Sequence, residues 1–406
     1  MSDPAPPPAV RLRPGREASL LRRHPWVFSG AIDAVSGDPA PGAVVDVRSA
    51  RGDFLARGFW SPASQIRVRV LSFDESEHID AFWLGGRLAA AWALRAPLWA
   101  PGRRDALRVV HGEGDGLPGL VVDRYAGVLC AQILSAGFER MRGELAAQLL
   151  DLFPSVSAVY ERSDAPARER EGLAPRTGLL AARPGAALPD FSRVEVVLDG
   201  VRSAVDLAGG QKTGSYLDQA ANHALVGARA EGREVLDAFC YDGGFTLACL
   251  RGGAARVTAV DASAPALGAL RANLALNGLA DAPVETLRAD VFAQLRAFRD
   301  ARRSFDLIVL DPPKLADSRV RAAKACRAYK DANLLAFKLL RPGGLLATFS
   351  CSGAVAPALF RTVVAEAALD AGRDARVVAE FRQGPDHPVS LACPEGLYLK
   401  GLLCAV

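Results

Sequence analysis

The C-terminal half of this 406-residue sequence predicts an α/β fold built on a doubly wound, mainly parallel sheet. Three observations carry that prediction. From about residue 191 short apolar runs alternate with longer stretches of helical period, acidic residues stand where the apolar runs end, and a glycine pair follows the first run. The strand candidates are 234–239, 256–260, 284–287, 306–310 and 345–350, separated by helical stretches such as 265–277, 291–299 and 323–340. Ligands of such a sheet bind at the carboxyl ends of its strands.

Two further domains are expected ahead of this one, which spans 191–406. Residues 1–75 place turn signals, Gly37-Asp38-Pro39 and Gly52-Asp53, between β-prone runs at 43–47, 54–59 and 66–73, a β-rich module. Residues 76–190 show a helical stretch at 79–99, a glycine-rich turn at 112–119 and strands at 120–123 and 128–135, a central α+β domain. The polar run 162–176, with Arg168, Glu169, Arg170 and Glu171, reads as an exposed loop.

Bulk properties exclude several classes. Half the residues are hydrophobic, yet no apolar run approaches the roughly 18 residues of a membrane span, and residues 1–8 lack a signal-peptide pattern. The expectation is a cytoplasmic protein without a membrane partner. Seven scattered cysteines, with no C-x-x-C pair and no clustered histidines, predict neither a disulfide framework nor a metal site. A net charge of +4 permits a nucleic-acid partner without arguing for one. More specific is the string Arg11, Arg13, Arg16, Arg22, Arg23 and His24, opposed by Glu17 and followed by Trp26 and Phe28. Positive charge beside aromatic rings suits phosphate contact and base stacking, and it suits equally a solvated basic face over core aromatics.

The first C-terminal strand runs through Asp237, Phe239 and Tyr241 into the turn Asp242-Gly243-Gly244, which opens a helix. Glycines there allow close backbone approach, and amides at the helix start engage polar groups. The second strand ends in Asp261, 24 residues after Asp237, placed to accept hydrogen bonds from ribose hydroxyls. Asp290, at the third junction, serves either as an acceptor for an adenine amino group or as a helix cap. Three carboxylates at successive junctions point to an adenosine-containing cofactor but do not separate NAD from S-adenosylmethionine.

The fourth and fifth strands make that separation. Strand 306–310 runs into Asp311-Pro312-Pro313-Lys314, where two prolines stiffen the rim beside Asp311. The next strand ends in Ser350-Cys351-Ser352-Gly353. Carbon 5 of cytosine is a poor nucleophile toward an electrophilic methyl group. A thiolate adding at carbon 6 converts the ring to an enamine that attacks through carbon 5. Cys351 is the candidate nucleophile, and Asp311 the group that hydrogen-bonds the base edge.

At these residues the sequence resembles the bacterial 23S ribosomal RNA large-subunit methyltransferase I family, which makes 5-methylcytidine. The carriers are the runs 20–30, 61–67, Lys212-Thr213-Gly214, 216–219, Asp311-Pro312-Pro313-Lys314, Ser350-Cys351-Ser352-Gly353 and 394–401, and the resemblance covers nearly the whole chain. It implies a Rossmann-like class I methyltransferase preceded by a PUA-like RNA-binding domain and a linking domain. It further implies S-adenosylmethionine as cofactor, 23S ribosomal RNA as partner and Cys351 as nucleophile. By the same carry-over Lys212, Thr213 and Tyr216 help close the cofactor site held by Asp237, Asp261 and Asp290. Arg22, Arg23, His24, Trp26, Lys314, Arg327, Tyr329 and Lys330 would face RNA, and a homodimer is compatible with the family.

The sequence departs from the family pattern at four positions. Ala220 follows Gln219 and His223 stands three residues on, both where arginine is usual; Asp242 replaces the threonine that usually begins the glycine turn; Leu315 replaces a phenylalanine. No second cysteine accompanies Lys314, so product release needs another base. Three readings compete: methylation of a purine nitrogen with Cys351 merely structural, an adenosine-cofactor oxidoreductase, and an RNA-binding scaffold with an inactive transferase half.

Overall fold

The computed structural model of the chain describes residues 8–316 and 319–406; the first seven residues, part of the start read above for a leader pattern, lie outside them. The chain forms two compact units. One comprises Met1–Val197, Val205–Leu217 and Pro385–Gly396, the other Leu198–Ala204, Asp218–Gly384 and Leu397–Val406. Two segments that lie in the C-terminal half of the sequence thus pack with the first unit, which a linear boundary does not express.

The first unit begins with six strands, β1 (Ala9–Leu12), β2 (Trp26–Phe28), β3 (Ile32–Ser36), β4 (Val44–Arg48), β5 (Phe54–Trp60) and β6 (Ile66–Ser72). They form one sheet in the order β2-β6-β5-β4-β1-β3. Alternate residues such as Val45 and Val47 on β4, and Val68 and Val70 on β6, meet Val10, Leu12, Leu20 and Val27 in its core. A second sheet, in the order β11-β10-β9-β8-β7, is made of β7 (Ala106–His111), β8 (Leu120–Tyr125), β9 (Val128–Ile133), β10 (Ala158–Ser163) and β11 (Arg176–Ala182). Helices Ala81–Arg95 and Arg142–Leu152 bury Trp83, Leu84, Leu88, Leu145 and Leu149 in its core. Asp80 starts the first of them by accepting the Trp83 N–H.

The polar run 162–176 is only in part the exposed loop that its composition predicts: Glu169, Arg170 and 174–176 are exposed, while Arg162, Ser163, Arg168 and Glu171 are buried. Arg162 and Ser163 finish β10, and Pro166–Glu169 is a short helix. Arg168 is 1% exposed because its guanidinium donates to the carbonyls of Ile133 and Ala174 and to Glu139. Glu171, also buried, accepts from Ser61 and from Arg69 Nη2. Charged residues enter the interior when each charge finds partners, a property of tertiary contacts that composition does not carry.

After the ribbon β12 (Val194–Leu198) and β13 (Val201–Val205), the second unit is organised by seven strands. These are β14 (Glu234–Ala238), β15 (Arg256–Asp261), β16 (Val284–Arg288), β17 (Phe305–Leu310), β18 (Leu340–Ser350), β19 (Arg376–Arg382) and β20 (Lys400–Ala405). Their order is β16-β15-β14-β17-β18-β20-β19. The first five run parallel, and β20 inserts antiparallel between β18 and β19. Strand β17 is apolar at five of its six positions because a central parallel strand is covered on both faces. The order reverses between β14 and β17, so the crevice of a doubly wound sheet opens above Asp237 and Asp311.

All seven cysteines are free thiols. Among the described residues no helix is long and apolar enough to cross a membrane.

Candidate active site

The backbone leaving β14 is unusual. Phe239 and Tyr241 take positive φ angles of 66° and 47°, which non-glycine residues adopt only where surrounding structure compels them. The compulsion is visible: the Phe239 and Cys240 N–H groups donate to Val260 O, and Tyr241 N–H donates to Asp261 Oδ2 at 3.0 Å. Asp261 also accepts Ser263 N–H, so its carboxylate is fixed at the end of β15 with lone pairs left for a ligand. Gly243 sits at φ 92°, and a Cβ there would lie 2.1 Å from Leu270 Cδ1; one on Gly244 would lie 2.3 Å from His223 Cε1. The glycine pair therefore lets helix Gly244–Arg251 pack closely on its neighbours.

His223, one of the departures, lies beside this turn and packs edge-on against Phe245 at 4.4 Å. Desolvation lowers its pKa to about 4, so the ring is neutral at pH 7 and supplies no charge in place of an arginine.

Electrostatically the turn is acidic. Asp237 is buried; its Oδ2 accepts the Thr246 hydroxyl at 2.6 Å, while Oδ1 has no hydrogen-bond partner. Desolvation, reinforced by Asp261 and Asp242, raises the Asp237 pKa to about 7. Desolvation likewise raises Asp242 to about 6. An orphaned buried carboxylate oxygen beside two further carboxylates fits a cationic ligand, and S-adenosylmethionine carries a sulfonium and an ammonium group. Asp290, at the next junction, is exposed and caps helix Val291–Asp300 by accepting the Ala293 N–H.

Asp311 stands at the end of β17, where Gln219 Nε2 donates to its Oδ2 at 2.9 Å. Its loop continues through Pro312 and Lys314 to Ala316, whose N–H donates to Ser352 Oγ at 3.1 Å. The Asp311 and Cys351 loops, on the neighbouring strands β17 and β18, are thereby joined by a direct hydrogen bond. Tyr329, expected on the RNA side, is buried at 1% exposure; its hydroxyl lies 3.0 Å from Ser352 Oγ and holds the Cys351 loop from below. Lys314 and Arg327 are exposed, and Lys330 pairs with Glu366 and Asp370 on helix Pro357–Asp370. Lys400, which lies in the run 394–401 but has no role assigned from sequence, is buried beneath the same loop and donates to Ser352 O and Val355 O.

The remaining candidates belong to the first unit. Thr213 is buried, with its hydroxyl donating to Asp123 and lying 3.0 Å from the Tyr125 hydroxyl. Lys212 sits over the Tyr216 ring at 4.1 Å. On the N-terminal sheet Arg22 and Arg23 are exposed, and the Arg23 guanidinium lies over Phe73. Trp26 is half-buried with its indole N–H on Glu113 and its ring edge-on to both His24 and Phe28. His24, Cys393 and Glu395 cluster within 4.8 Å. His24 Nδ1 accepts the Trp26 N–H, which leaves Nε2 carrying the proton and facing Glu395 as a donor.

A family model described as S-adenosylmethionine-dependent methyltransferase matches residues 185–394, and one described as PUA-like domain matches residues 10–73. The chain is thus an S-adenosylmethionine-dependent methyltransferase with a PUA-like domain at its N-terminal end. Ribosomal RNA large subunit methyltransferase I of Shewanella amazonensis is 48% identical over 397 residues, covering 98% of this chain and 99% of its own. The enzyme of that name from Tolumonas auensis is 48% identical over 97% of this chain and 98% of its own. The chain belongs to the ribosomal RNA large subunit methyltransferase I family. Among solved structures, a Streptococcus mutans protein assigned as an S-adenosylmethionine-dependent methyltransferase superposes with TM-score 0.83 at 19% identity, covering 98% of this chain and all of the other. A protein crystallised with SAH gives TM-score 0.84 at 20% identity over the same shares. At those identities the likeness speaks for the fold.

Proposed function

We propose that this methyltransferase modifies carbon 5 of a cytidine in 23S ribosomal RNA, with Cys351 as covalent nucleophile. The ribosomal RNA substrate is inferred from the names of the full-length relatives. The observation that carries the chemistry is the Ala316–Ser352 hydrogen bond, which fixes the Asp311 and Cys351 loops side by side at adjacent strand ends.

The Cys351 thiolate forms a bond to carbon 6 of the base, and the electron pair of the 5,6 double bond becomes available at carbon 5. Asp311, held by Gln219, accepts a hydrogen bond from the exocyclic amino group of the base and so orients the ring for addition. Bound S-adenosylmethionine supplies an electrophilic methyl group, which carbon 5 accepts. Loss of the carbon-5 proton to a base then re-forms the double bond and expels the thiolate. Asp237, Asp242 and Asp261 hold the cationic cofactor, with Phe239, Tyr241, Gly243 and Gly244 shaping its backbone rim and Asp290 at the adenine side. Arg22, Arg23, His24 and Trp26 grip RNA on the N-terminal module; Lys314 and Arg327 do so near the crevice.

Mass spectrometry of 23S ribosomal RNA after incubation with methyl-labelled cofactor tests this reading. It expects labelled 5-methylcytidine from the intact enzyme and none from Cys351→Ala. Full methylation by Cys351→Ala, or label on a purine nitrogen, removes covalent cytosine chemistry.

A further inference from the structure

Lys400 opens β20 directly opposite Ser350 of β18 and is 6% exposed. A buried ammonium is costly unless its protons and its charge are both satisfied. Two protons are: Nζ donates to Ser352 O at 2.6 Å and to Val355 O at 2.8 Å. Those carbonyls belong to the loop that begins with Cys351, so the lysine pins that loop from beneath. Among the described residues the charge has no carboxylate as a hydrogen-bond partner. The groups around it are Cys351 on the pinned loop and Lys314 from the loop after β17, with Tyr329 of helix Ala322–Leu339 against the Ser352 hydroxyl; Arg382 and Glu380 of β19 and Arg361 of helix Pro357–Asp370 line one cleft with Lys400. Glu380 is already paired with Arg361 and faces Arg382, which leaves the Cys351 thiol and the Tyr329 phenol as the other groups that can become anions. Burial pushes the phenol up, away from ionising.

We infer that Lys400 is a positioning residue for the methyl transfer: it fixes the Cys351 loop through two carbonyls and keeps a buried positive charge beside the thiolate. The inference rests on Cys351 being the nucleophile and adds the group that prepares it. Desolvation lowers the Lys400 pKa to about 8, opposed by Cys351 and reinforced by Lys314, so at neutral pH the ammonium is the main form. A thiolate next to such a cation forms at lower pH than a free one.

The test reads the thiol itself. Alkylation of Cys351 by iodoacetamide is followed by peptide mass spectrometry from pH 6 to 10 on the full-length protein without RNA. The wild-type midpoint is expected below the ordinary thiol value of about 8.5. In Lys400→Met it moves up by about one unit, and in Lys400→Arg it stays near wild type. In methylation assays Lys400→Met loses about 10- to 100-fold in kcat with little change in KM for S-adenosylmethionine. A wild-type midpoint at or above the ordinary thiol value overturns the inference without any variant. An unchanged midpoint in a Lys400→Met protein that still binds cofactor overturns it too. Methylation surviving in Cys351→Ala would remove the nucleophile reading instead, while the alkylation comparison would still report whether Lys400 acts on the thiol.

Discussion

Gln219 donates its side-chain amide to Asp311 Oδ2 at 2.9 Å, and its own carbonyl accepts the Asn222 amide at 2.6 Å. Asn222 also donates to Arg382 O, so the chain of amides has one direction: the backbone carbonyl and Gln219 Oε1 orient Asn222, and Asn222 leaves Gln219 only its NH₂ to offer Asp311. Gln219→Leu keeps the volume and removes the donor. A hydrogen bond to a charged group contributes about 1.5–3 kcal/mol, so single-turnover methylation should slow roughly 10- to 100-fold while cofactor affinity holds within a few-fold. Asn222→Ala, one bond further away, should cost less.

On the proposed reading the acidic turn should make cofactor binding depend on pH. Asp237 has its pKa raised to about 7 and Asp242 to about 6, so acidification neutralises the carboxylates that would hold a cation. S-adenosylmethionine affinity measured by calorimetry should rise from pH 5.5 to 8. Stability of the ligand-free protein runs the other way. A carboxyl with a folded pKa above its unfolded value binds more protons when folded, so its contribution is present at low pH and is lost as pH climbs from about 4 through 7. Asp237→Asn should flatten both trends and raise the melting temperature of the ligand-free protein at pH 8, by about 2–4 °C for each kcal/mol recovered. A variant that binds cofactor as wild type across this range would remove Asp237 from the site.

The two glycines of the turn should fail differently. Gly244→Ala drives a methyl group into the His223 ring, an overpacking that costs about 1–3 kcal/mol and that His223→Ala should relieve. Gly243→Ala meets Leu270 and a φ of 92° at once. Truncating Leu270 opens space but leaves the backbone strained, so the double variant should remain destabilised. Thermal melts of the four proteins in each cycle decide between clash and strain.

Much of the second unit was legible because its determinants are local. The apolar run from Phe305 to Leu310 reads as a central strand at any register, and Asp237, Asp261, Asp290 and Asp311 mark strand ends by position alone. Lys400 stands in the run 394–401 that carries the family resemblance, but its burial was not legible. It is set apart by burial between β18 and β19, which pairs residues 50 positions apart through Ser350. Tyr329 and Thr213 illustrate the same limit: their residue types suit a ligand, yet each hydroxyl is buried against groups distant in the sequence. The run 162–176 shows it too, since charge density there predicts solvent exposure, which Glu169 and Arg170 keep, while the fold supplies buried partners for Arg162, Arg168 and Glu171.

That run yields a stability prediction. Glu171 is buried between Ser61 and Arg69, and Arg69 reaches Glu113 at 3.6 Å. Glu171→Ala leaves the buried Arg69 guanidinium only its longer contact with Glu113 and should destabilise the first unit, by less than the about 3–5 kcal/mol of a fully stranded charge. Because the second unit has its own core, denaturant unfolding should split into two transitions, with the earlier one followed by the Trp residues, all five of which lie before residue 100.

On the N-terminal module the basic and aromatic groups should separate by their response to salt. Arg22 and Arg23 are exposed cations, so Arg22→Ala and Arg23→Ala, each taking one positive charge from the phosphate backbone, should weaken RNA binding uniformly. Each should also reduce the slope of log affinity against log salt by about 0.7–0.9. Trp26 carries no charge, and its indole N–H is already committed to Glu113. Trp26→Phe retains a ring for stacking while releasing Glu113, whereas Trp26→Ala removes the platform. If a base stacks on this ring, Trp26→Ala should lose about 1–3 kcal/mol with the salt slope intact, and Trp26→Phe should recover most of that loss. Equal binding by all three proteins at high salt would make Trp26 a wall of the module, supporting the basic face without reading the RNA.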